Sequence, residues 1–347
     1  MEKLRVVQVG AGGFGRSWLE VLLNYEHIEL VAVVDVMKEN LTQVKKITGL
    51  PDEALFINPS EAFQKIKADF ALIVTPPQTH KELSMEAVTR GLHVMMEKPL
   101  THTYDEAIEL LKFTRNHDKK VMISQNYRWN RPIQTVKQLL EEDTIGNIEY
   151  MNYSFQRATN FGGWRDEYEN ILLEDMSIHH FDIMRYLLNK NPIEVYAKSY
   201  RPSWSWFKGN PNAHVSITFE DDVFVSYAGS WVTKGKETPW NGEFRLVGEK
   251  GAIELVDDEV IVYDSNNEVS KVPLKEPLYD DRTLSLDHFV QSIIFDKEPI
   301  TSIEDNFKSF ELTCAAIESA ELNRIVGIPQ SSVNNVKTFI EGGSTKL

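Results

Sequence analysis

Acid–base side chains recur in one stretch near the middle of this 347-residue chain. Asp175 and His179 are four residues apart in a segment with a helical pattern, and Asp182 follows three residues later, so the three lie along one helical face. His180 is rotated by roughly 100° from His179, so at most one of the two faces the same cleft. A histidine that titrates near neutral pH can take a proton from a hydroxyl and return it. A structural histidine capped by carboxylates would show the same spacing.

Lys98 is a second candidate for a chemical role, because it lies just past the end of a strand predicted over residues 92–96. An ammonium at the end of a strand can hydrogen-bond the oxygen of a carbon that loses hydride and can stabilise charge on that oxygen. Pro99 restricts the backbone beside it, and a cis Lys98–Pro99 bond would direct the side chain. The alternative is an ordinary surface lysine in a strand-to-helix loop.

A glycine-rich turn near the N-terminus is typical of a site for a dinucleotide. An apolar strand from Leu4 ends in Gly10, Gly12 and Gly15, spaced G-x-G-x-x-G, and a helical segment opens at Phe14. In a dinucleotide fold the first glycine permits a sharp turn, the second leaves room for the pyrophosphate, and the third lets helix and strand pack closely. The helix N-terminus then offers free N–H groups to the phosphates.

Asp35 supports the interpretation of that turn as part of a dinucleotide site. It ends a second strand and lies twenty residues after Gly15, where the dinucleotide fingerprint expects an acid for the ribose. A carboxylate there accepts hydrogen bonds from ribose hydroxyls and repels a 2′-phosphate, which favours NAD over NADP. A residue that merely caps a strand or helix is the alternative.

Short strands alternate with helices as far as residue 124, which predicts a doubly wound parallel sheet with helices on both faces. Ligands on such sheets bind at the carboxyl ends of the strands, so Gly10, Asp35, Thr75 and the residues after the next strand should share one edge. We place a domain boundary near Gln125, dividing the chain into domains 1–124 and 125–347. Consecutive strands in the second domain predict an open, mainly antiparallel sheet, so the fold class is α/β plus α+β.

Composition limits the remaining possibilities. A hydrophobic content of 42% with 26% charged residues is typical of a soluble globular protein, and the net charge of −15 argues against nucleic-acid and anionic-membrane partners. One cysteine, Cys314, excludes intrachain disulfides and fits a reducing compartment. The chain enters a strand almost at once and has no apolar run of membrane-spanning length, so we expect a cytoplasmic protein. No cluster has metal-ligand spacing, and no metal is expected.

Several motifs together resemble one known family. They are G-A-G-G-F-G at 10–15, Asp35, T-P-P-Q-T-H at 75–80, E-K-P at 97–99, N-Y-R at 126–128, I-G-N-I at 145–148, W-R at 164–165 and D-M-S-I-H-H-F-D at 175–182. In this order they resemble the glucose–fructose oxidoreductase, inositol dehydrogenase and rhizopine-catabolism (Gfo/Idh/MocA) family. The resemblance implies an N-terminal Rossmann domain and a C-terminal substrate domain whose open sheet joins subunits into a homodimer or homotetramer.

The resemblance also implies roles for individual residues. Lys98 would be catalytic, His179 the acid–base residue, and Asp175 a substrate contact or an aid to the base. The cofactor site would comprise Gly10, Gly12, Gly13, Phe14, Gly15, Asp35, Thr75, Pro76, His80, Glu97 and Lys98. The substrate site would comprise Lys98, Arg128, Trp164, Arg165, Asp175 and His179. Arg128 could equally anchor a domain interface, and the aromatic loop around Trp164 could pack an interface instead of a sugar.

These expectations converge on an NAD-dependent oxidoreductase that acts on a secondary alcohol of a sugar, polyol or sugar derivative. Two alternatives stay open: an NAD-dependent glycosidase that works by transient sugar oxidation, and a non-catalytic regulator that senses NAD or a sugar. Many family members have several glycines immediately before the acid at 175, whereas this chain has E-N-I-L-L-E at 169–174. The pocket wall therefore differs, and the resemblance does not extend to substrate identity.

Overall fold

The structure, a computed structural model, describes residues 3–329 without the side chains of Trp164 and Asp166. Within that range the chain divides into two compact units. Residues 3–125 and Arg282–Phe307 form the first unit, and Asn126–Asp281 with residues 308–329 forms the second. The boundary after Gln125 lies next to the one expected from the sequence, but a single boundary does not anticipate the return of Arg282–Phe307 to the first unit.

The first unit is built on a six-stranded sheet. Its elements in chain order are β1 (Leu4–Val9), α1 (Gly13–Asn24), β2 (Ile28–Val34), α2 (Lys38–Thr48), β3 (Leu55–Phe56), α3 (Pro59–Lys65), β4 (Phe70–Ile73), α4 (His80–Thr89), β5 (His93–Glu97), α5 (Tyr104–Thr114) and β6 (Val121–Ser124). The strand order is β3-β2-β1-β4-β5-β6 and every pairing is parallel, which confirms the predicted doubly wound sheet.

The apolar runs that predicted β1 and β4 are buried in this sheet. Val6 and Val7 of β1 and all four residues of β4 are inaccessible to solvent, as expected for parallel strands covered on both faces. The returning segment adds to the same core, because Phe289 packs edge-on against Phe70 with ring centroids 5.5 Å apart. Tyr25, at the end of α1, donates a hydrogen bond from its hydroxyl to Asp287 over 2.6 Å.

The second unit is built on a nine-stranded mixed sheet. The elements that complete the chain are α6 (Arg131–Glu141), β7 (Ile148–Gln156), α7 (Ile178–Leu188), β8 (Pro192–Tyr200), β9 (Asn212–Phe219), β10 (Phe224–Ser230), β11 (Glu243–Gly248), β12 (Gly251–Val256), β13 (Glu259–Tyr263), β14 (Val269–Val272), α8 (Asp281–Ile294), α9 (Ile303–Leu322) and β15 (Val326–Gly327). Strands β7 and β10 pair in parallel and the other described neighbours are antiparallel, so the predicted mainly antiparallel sheet is confirmed.

Side chains alternate between the two faces of this sheet, as the period of two in β9 and β10 requires. Val225 and Tyr227 of β10 point into the unit, where Phe181 of α7 packs edge-on against Tyr227 at 5.6 Å. Phe224 and Ser226 point to the opposite face, where Phe224 is 47% exposed. The buried face therefore supports α7, whose first turn carries His179.

None of the helices described between residues 3 and 329 combines the length and apolarity needed to cross a bilayer.

Candidate functional site

The glycine turn at the end of β1 is fixed by contacts that only glycine permits. Gly10 has φ +95°, and a Cβ there would lie 2.2 Å from the carbonyl oxygen of Val74. A Cβ on Gly15 would lie 2.4 Å from the carbonyl oxygen of Gly10. The buried Gln8 holds the turn from below, because its side-chain amide donates to the carbonyls of Gly10 and Gly15 over 2.8 Å each.

The outer part of the same turn is open. A Cβ added at Gly12 or Gly13 would meet nothing within 4 Å, and Gly12 provides no side-chain cap for α1. The first N–H groups of α1 therefore remain available to an anionic group, and the missing side chains leave room for it to approach the backbone. Phe14 is 57% exposed beside them. These features fit the pyrophosphate of a dinucleotide.

Asp35 is a preorganised carboxylate beside this turn. One of its oxygens accepts the N–H of Ala11 at 2.7 Å, and the other accepts the N–H of Met37 at 2.8 Å and the amide of Asn40 at 3.1 Å. Asn40 in turn accepts a hydrogen bond from Arg16 at 3.3 Å. The acid is thus held in place next to the glycine turn, as a ribose-binding carboxylate must be.

Lys98 follows β5, and its peptide bond to Pro99 is cis. The preceding Glu97 is buried and turns inward, where it accepts a hydrogen bond from the indole N–H of Trp18 at 2.8 Å and one from the backbone N–H of Lys98 at 3.2 Å. Burial raises the pKa of Glu97, while Trp18, Lys98 and Arg282 act in the opposite direction. Glu97 therefore anchors the lysine loop to α1.

Arg282 is a member of this group that sequence reasoning missed. Its guanidinium lies 5.8 Å from the ring centroids of both Phe14 and Trp18, and it donates to the Ser17 hydroxyl over 2.8 Å. No motif marks Arg282, because it comes from the segment that returns to the first unit more than 180 residues after Lys98. It places a positive charge beside the start of α1.

Thr75 and Pro76 follow β4, at the edge of the sheet where they were expected. The Thr79 hydroxyl donates to the Thr75 hydroxyl over 2.7 Å. His80, which the resemblance placed in the cofactor site, is fully buried. Its Nδ1 lies 2.8 Å from the Pro99 carbonyl oxygen and its Nε2 lies 3.0 Å from the Thr75 carbonyl oxygen. The ring therefore supports two loops from within instead of lining a surface.

The acid–base stretch of the second unit departs from a uniform α-helix. Residues Leu172–Ser177 form a π-helical turn, and α7 begins only at Ile178. Asp175 thus lies in the π-helical turn and His179 in the first turn of α7, so the single α-helical face that the spacing predicted is interrupted. Such wide turns occur often at functional sites. The first half of the turn, Leu172 to Glu174, belongs to the stretch at 169–174 where the chain lacks the expected glycines.

Asp175 and His179 are both held by neighbours from their own unit. Arg165 lies 3.3 Å from an Asp175 carboxylate oxygen and is positioned over the Phe161 ring at 5.1 Å. The His179 ring stacks on Tyr127, with centroids 4.3 Å apart and planes 16° from parallel. Burial, with the charges of Asp281 and Asp175, raises the pKa of Tyr127 and keeps its hydroxyl protonated. Tyr127 belongs to the N-Y-R motif, but its type alone did not mark it as a partner of His179.

The two adjacent histidines differ sharply in environment. His180 is fully buried. Its Nδ1 lies 3.1 Å from the Tyr227 hydroxyl, and its Nε2 lies 3.1 Å from the Trp240 carbonyl oxygen. Burial lowers the pKa of His180 to about 3, which keeps the ring neutral. His180 is therefore a structural residue, and His179 is the candidate for proton transfer.

Arg128 forms a buried ion pair inside the second unit. Its Nε and Nη2 donate to the two Asp182 carboxylate oxygens over 2.6 and 2.7 Å, and both side chains are almost fully buried. Asp182 also accepts a hydrogen bond from Ser309 at 2.7 Å. The third acid of the predicted helical face, Asp182, is therefore bound to Arg128.

Trp164 belongs to the turn Gly163–Glu167, but its side chain lies outside the described part of the structure. Among the described residues, no group of three or more histidine, cysteine, aspartate or glutamate side chains is arranged to hold a metal ion.

Comparison with known proteins adds two family models that together span most of the chain. "Oxidoreductase family, NAD-binding Rossmann fold" matches residues 4–125, and "Oxidoreductase family, C-terminal alpha/beta domain" matches residues 137–328. The second match begins twelve residues beyond Gln125.

Individual relatives and a solved structure agree with these matches. D-apiose dehydrogenase from Rhizobium rhizogenes is 25% identical over 344 residues, covering 94% of this chain and 98% of the relative. Myo-inositol 2-dehydrogenase from Thermotoga maritima is 25% identical over 194 residues, covering 56% of this chain and 58% of the relative. An Agrobacterium radiobacter oxidoreductase, solved with NAD+, L-tartaric acid and magnesium, shares the fold with a TM-score of 0.87 and 24% identity, covering 94% of this chain and 98% of that chain.

Proposed function

Because the chain belongs to the Gfo/Idh/MocA oxidoreductase family and is an NAD-binding oxidoreductase of that family, we propose that it is an NAD-dependent dehydrogenase acting on a secondary alcohol of a sugar, polyol or sugar derivative. The observation that carries this proposal is the arrangement within the first unit. A fixed Asp35 carboxylate lies beside an uncapped glycine turn, in the same unit as Lys98 at the end of β5. The relatives named D-apiose dehydrogenase and myo-inositol 2-dehydrogenase support a polyhydroxylated substrate.

The preference for NAD over NADP is proposed from Asp35. A carboxylate held by the N–H groups of Ala11 and Met37 presents fixed negative charge, which accepts hydrogen bonds from ribose hydroxyls and repels a 2′-phosphate. The open space at Gly12 and Gly13 would receive the pyrophosphate. When bound, the nicotinamide supplies the acceptor for the hydride that leaves the alcohol carbon.

The remaining chemistry is assigned to three side chains. His179 takes the hydroxyl proton, with its ring orientation kept by stacking on Tyr127. Lys98 hydrogen-bonds the substrate oxygen and stabilises the charge that develops on it. Asp175, steadied by Arg165, orients the neighbouring hydroxyls of the substrate. Arg128 is assigned no contact with the substrate.

The test begins with the wild-type protein and a panel of free, phosphorylated and amino sugars and polyols. Each compound is assayed with NAD and NADP side by side by nicotinamide absorbance. With the best substrate, Lys98→Ala and His179→Asn should each lower kcat by ~100-fold or more while NAD binding, measured by calorimetry, is retained. Lys112→Ala, which removes an exposed lysine of α5 in the first unit, is the matched control and should turn over normally.

Two results would contradict these assignments. Normal turnover by Lys98→Ala would remove the lysine from the chemistry. Hydrolysis of aryl glycosides without accumulation of NADH would favour the glycosidase alternative over the dehydrogenase.

We also propose that copies of the chain associate through the outward face of the nine-stranded sheet. That face carries exposed aromatic side chains, Tyr150 and Phe224 among them. It also carries a shallow groove of about 320 Å³ whose lining includes Ser226, Arg245 and Glu254. Exposed aromatic residues on a sheet are typical of surfaces that are covered in an assembly. The mass in solution, measured by light scattering, tests the proposal.

A further inference from the structure

His80 is the first residue of α4 and has no surface exposed to solvent. Its ring lies between two backbone carbonyls that belong to different loops. The Thr75 carbonyl follows β4, and the Pro99 carbonyl follows β5 and Lys98. One buried side chain thus joins the loop that begins at Thr75 to the loop that carries Lys98.

The chemistry of the ring makes this contact unusual. Carbonyl oxygens only accept hydrogen bonds, and a neutral imidazole has a single N–H to donate. Burial lowers the pKa of His80, whereas the carbonyls of Pro99, Thr75 and Leu100 and the carboxylate of Glu106 act in the opposite direction. A neutral ring therefore hydrogen-bonds one of the two carbonyls and a protonated ring hydrogen-bonds both, and its two nitrogens lie 2.8 and 3.0 Å from a carbonyl of each loop.

The strands beneath the two loops are already in register. β4 and β5 pair in parallel from Phe70 opposite His93 to Ile73 opposite Met96. β4 ends there, and β5 ends one residue later, at Glu97. Beyond that point the two loops also approach at the surface, where the Gln78 amide lies 3.5 Å from the His102 ring. The two His80 contacts are shorter, the one to Pro99 is buried and the one to Thr75 is partly buried, and a buried hydrogen bond is stronger than an exposed one.

We propose that His80 is a positioning residue that acts through the Pro99 carbonyl and holds the Lys98 ammonium within hydrogen-bond reach of the substrate oxygen. This inference rests on the proposed function, because it takes Lys98 to be a residue that touches the substrate. It replaces the direct cofactor contact that the motif alone suggests for His80. Fixing a reacting group within a fraction of an ångström is the usual way in which a residue that does not touch the substrate affects turnover.

The test compares three substitutions. His80→Phe keeps a planar ring but removes every donor, and His80→Gln keeps an amide that can donate to a carbonyl. His117→Phe is the matched control, because His117 also contacts a backbone carbonyl, that of Phe113 at 2.9 Å, but lies three residues beyond the C-terminal end of α5. His80→Phe should lower kcat by ~10- to 100-fold. The KM for NAD should change by less than about 3-fold, and His80→Gln should recover most of the loss.

A double-mutant cycle with Lys98→Ala separates positioning from general stability. If His80 acts through Lys98, the His80→Phe/Lys98→Ala double variant should be no slower than Lys98→Ala alone. Multiplying losses in the double variant would overturn the proposal. A raised KM for NAD with unchanged kcat in His80→Phe would also overturn it and would favour a direct cofactor contact. If His80→Phe does not fold, His80→Asn, with an amide too short to reach both carbonyls, takes its place beside His80→Gln.

Hydrogen exchange tests the same link without any turnover. In His80→Phe the amides of Lys98 and Leu100 to Thr103, together with those that follow Thr75, should exchange faster than in the wild type, while the amides of β4 and β5 are unchanged. Unchanged exchange in these loops would refute the link. Full activity of Lys98→Ala would instead refute the catalytic role of the lysine and leave the exchange result intact, so the two failures are distinguishable.

Discussion

Glu174 offers a prediction whose sign and size both follow from its surroundings. It lies directly before Asp175 in the π-helical turn and is 8% exposed, with one carboxylate oxygen accepting the Asn170 N–H at 2.6 Å. Burial raises the pKa of Glu174 from 4.5 to about 7, helped by the charges of Glu169, Glu321 and Asp175 and opposed by the Asn170 hydrogen bond. The folded protein therefore holds a proton on this carboxyl at a pH where the unfolded chain has lost it.

The direction of the effect on stability follows from proton linkage. Below the unfolded pKa of 4.5 both states are protonated and Glu174 costs nothing. As the pH rises from 4.5 to about 7 the unfolded state releases its proton first, so the free energy of unfolding falls. Above that range the penalty is complete and amounts to at most about 3 kcal/mol, because one pKa unit corresponds to 1.36 kcal/mol.

Glu174→Gln removes the ionisable group and keeps its volume and its acceptor for Asn170. The variant should be more stable than the wild type by at most about 3 kcal/mol at pH 8 and equal to it near pH 4.5. Urea unfolding followed by circular dichroism at several pH values measures this difference. Glu268→Gln, at an exposed position of the same unit, is the control and should have no effect at either pH. A gain that is the same at all pH values, or a loss at pH 8, would refute the reasoning.

Two further predictions concern the second unit. Asp182→Asn leaves the buried guanidinium of Arg128 without its carboxylate and should cost about 3 kcal/mol, seen as a lower melting midpoint. The same change at Asp221, whose ion pair with Lys190 is exposed on the aspartate side, should cost less than about 1 kcal/mol, and equal losses would contradict the argument. Phe224→Asp places a charge on the outward face of the sheet and should reduce the mass measured by light scattering, whereas Phe295→Asp, on an exposed site of the first unit, should not. An unchanged mass in Phe224→Asp would count against association through that face.

The parts of the fold that the sequence predicts well are those governed by neighbours along the chain. The glycine spacing at 10–15 describes one turn, and Asp35 ends the next strand. Parallel strands then bring their carboxyl ends to one edge, so Gly10, Asp35, Thr75 and Lys98 could be assigned to the same edge before any coordinates were known. The alternation of strands and helices predicts the parallel sheet of the first unit for the same reason.

The parts that the sequence could not predict depend on contacts between distant segments. Nothing in the sequence around Trp18 indicates that its indole N–H donates to Glu97, a residue 79 positions away, and only the fold shows this contact. Arg282 has no motif, and it joins this group only because residues after 281 return to the first unit. The π-helical turn was also missed, because a wider turn leaves the helical spacing of Asp175 and His179 looking regular.

His179 and His180 show why residue type and spacing do not by themselves assign an acid–base group. Helical geometry shows that the two rings point in different directions, but it does not show which of the two rings can exchange a proton with a substrate. Segments remote in sequence distinguish the two histidines. The Tyr227 hydroxyl on β10 and the Trp240 carbonyl contact the ring of His180, and burial lowers the pKa of His180 to about 3. A ring that stays neutral through the physiological range and faces fixed partners on both nitrogens cannot cycle a proton with a substrate. This excludes His180 and supports the proposal that His179, whose ring is stacked on Tyr127, exchanges the proton with the substrate.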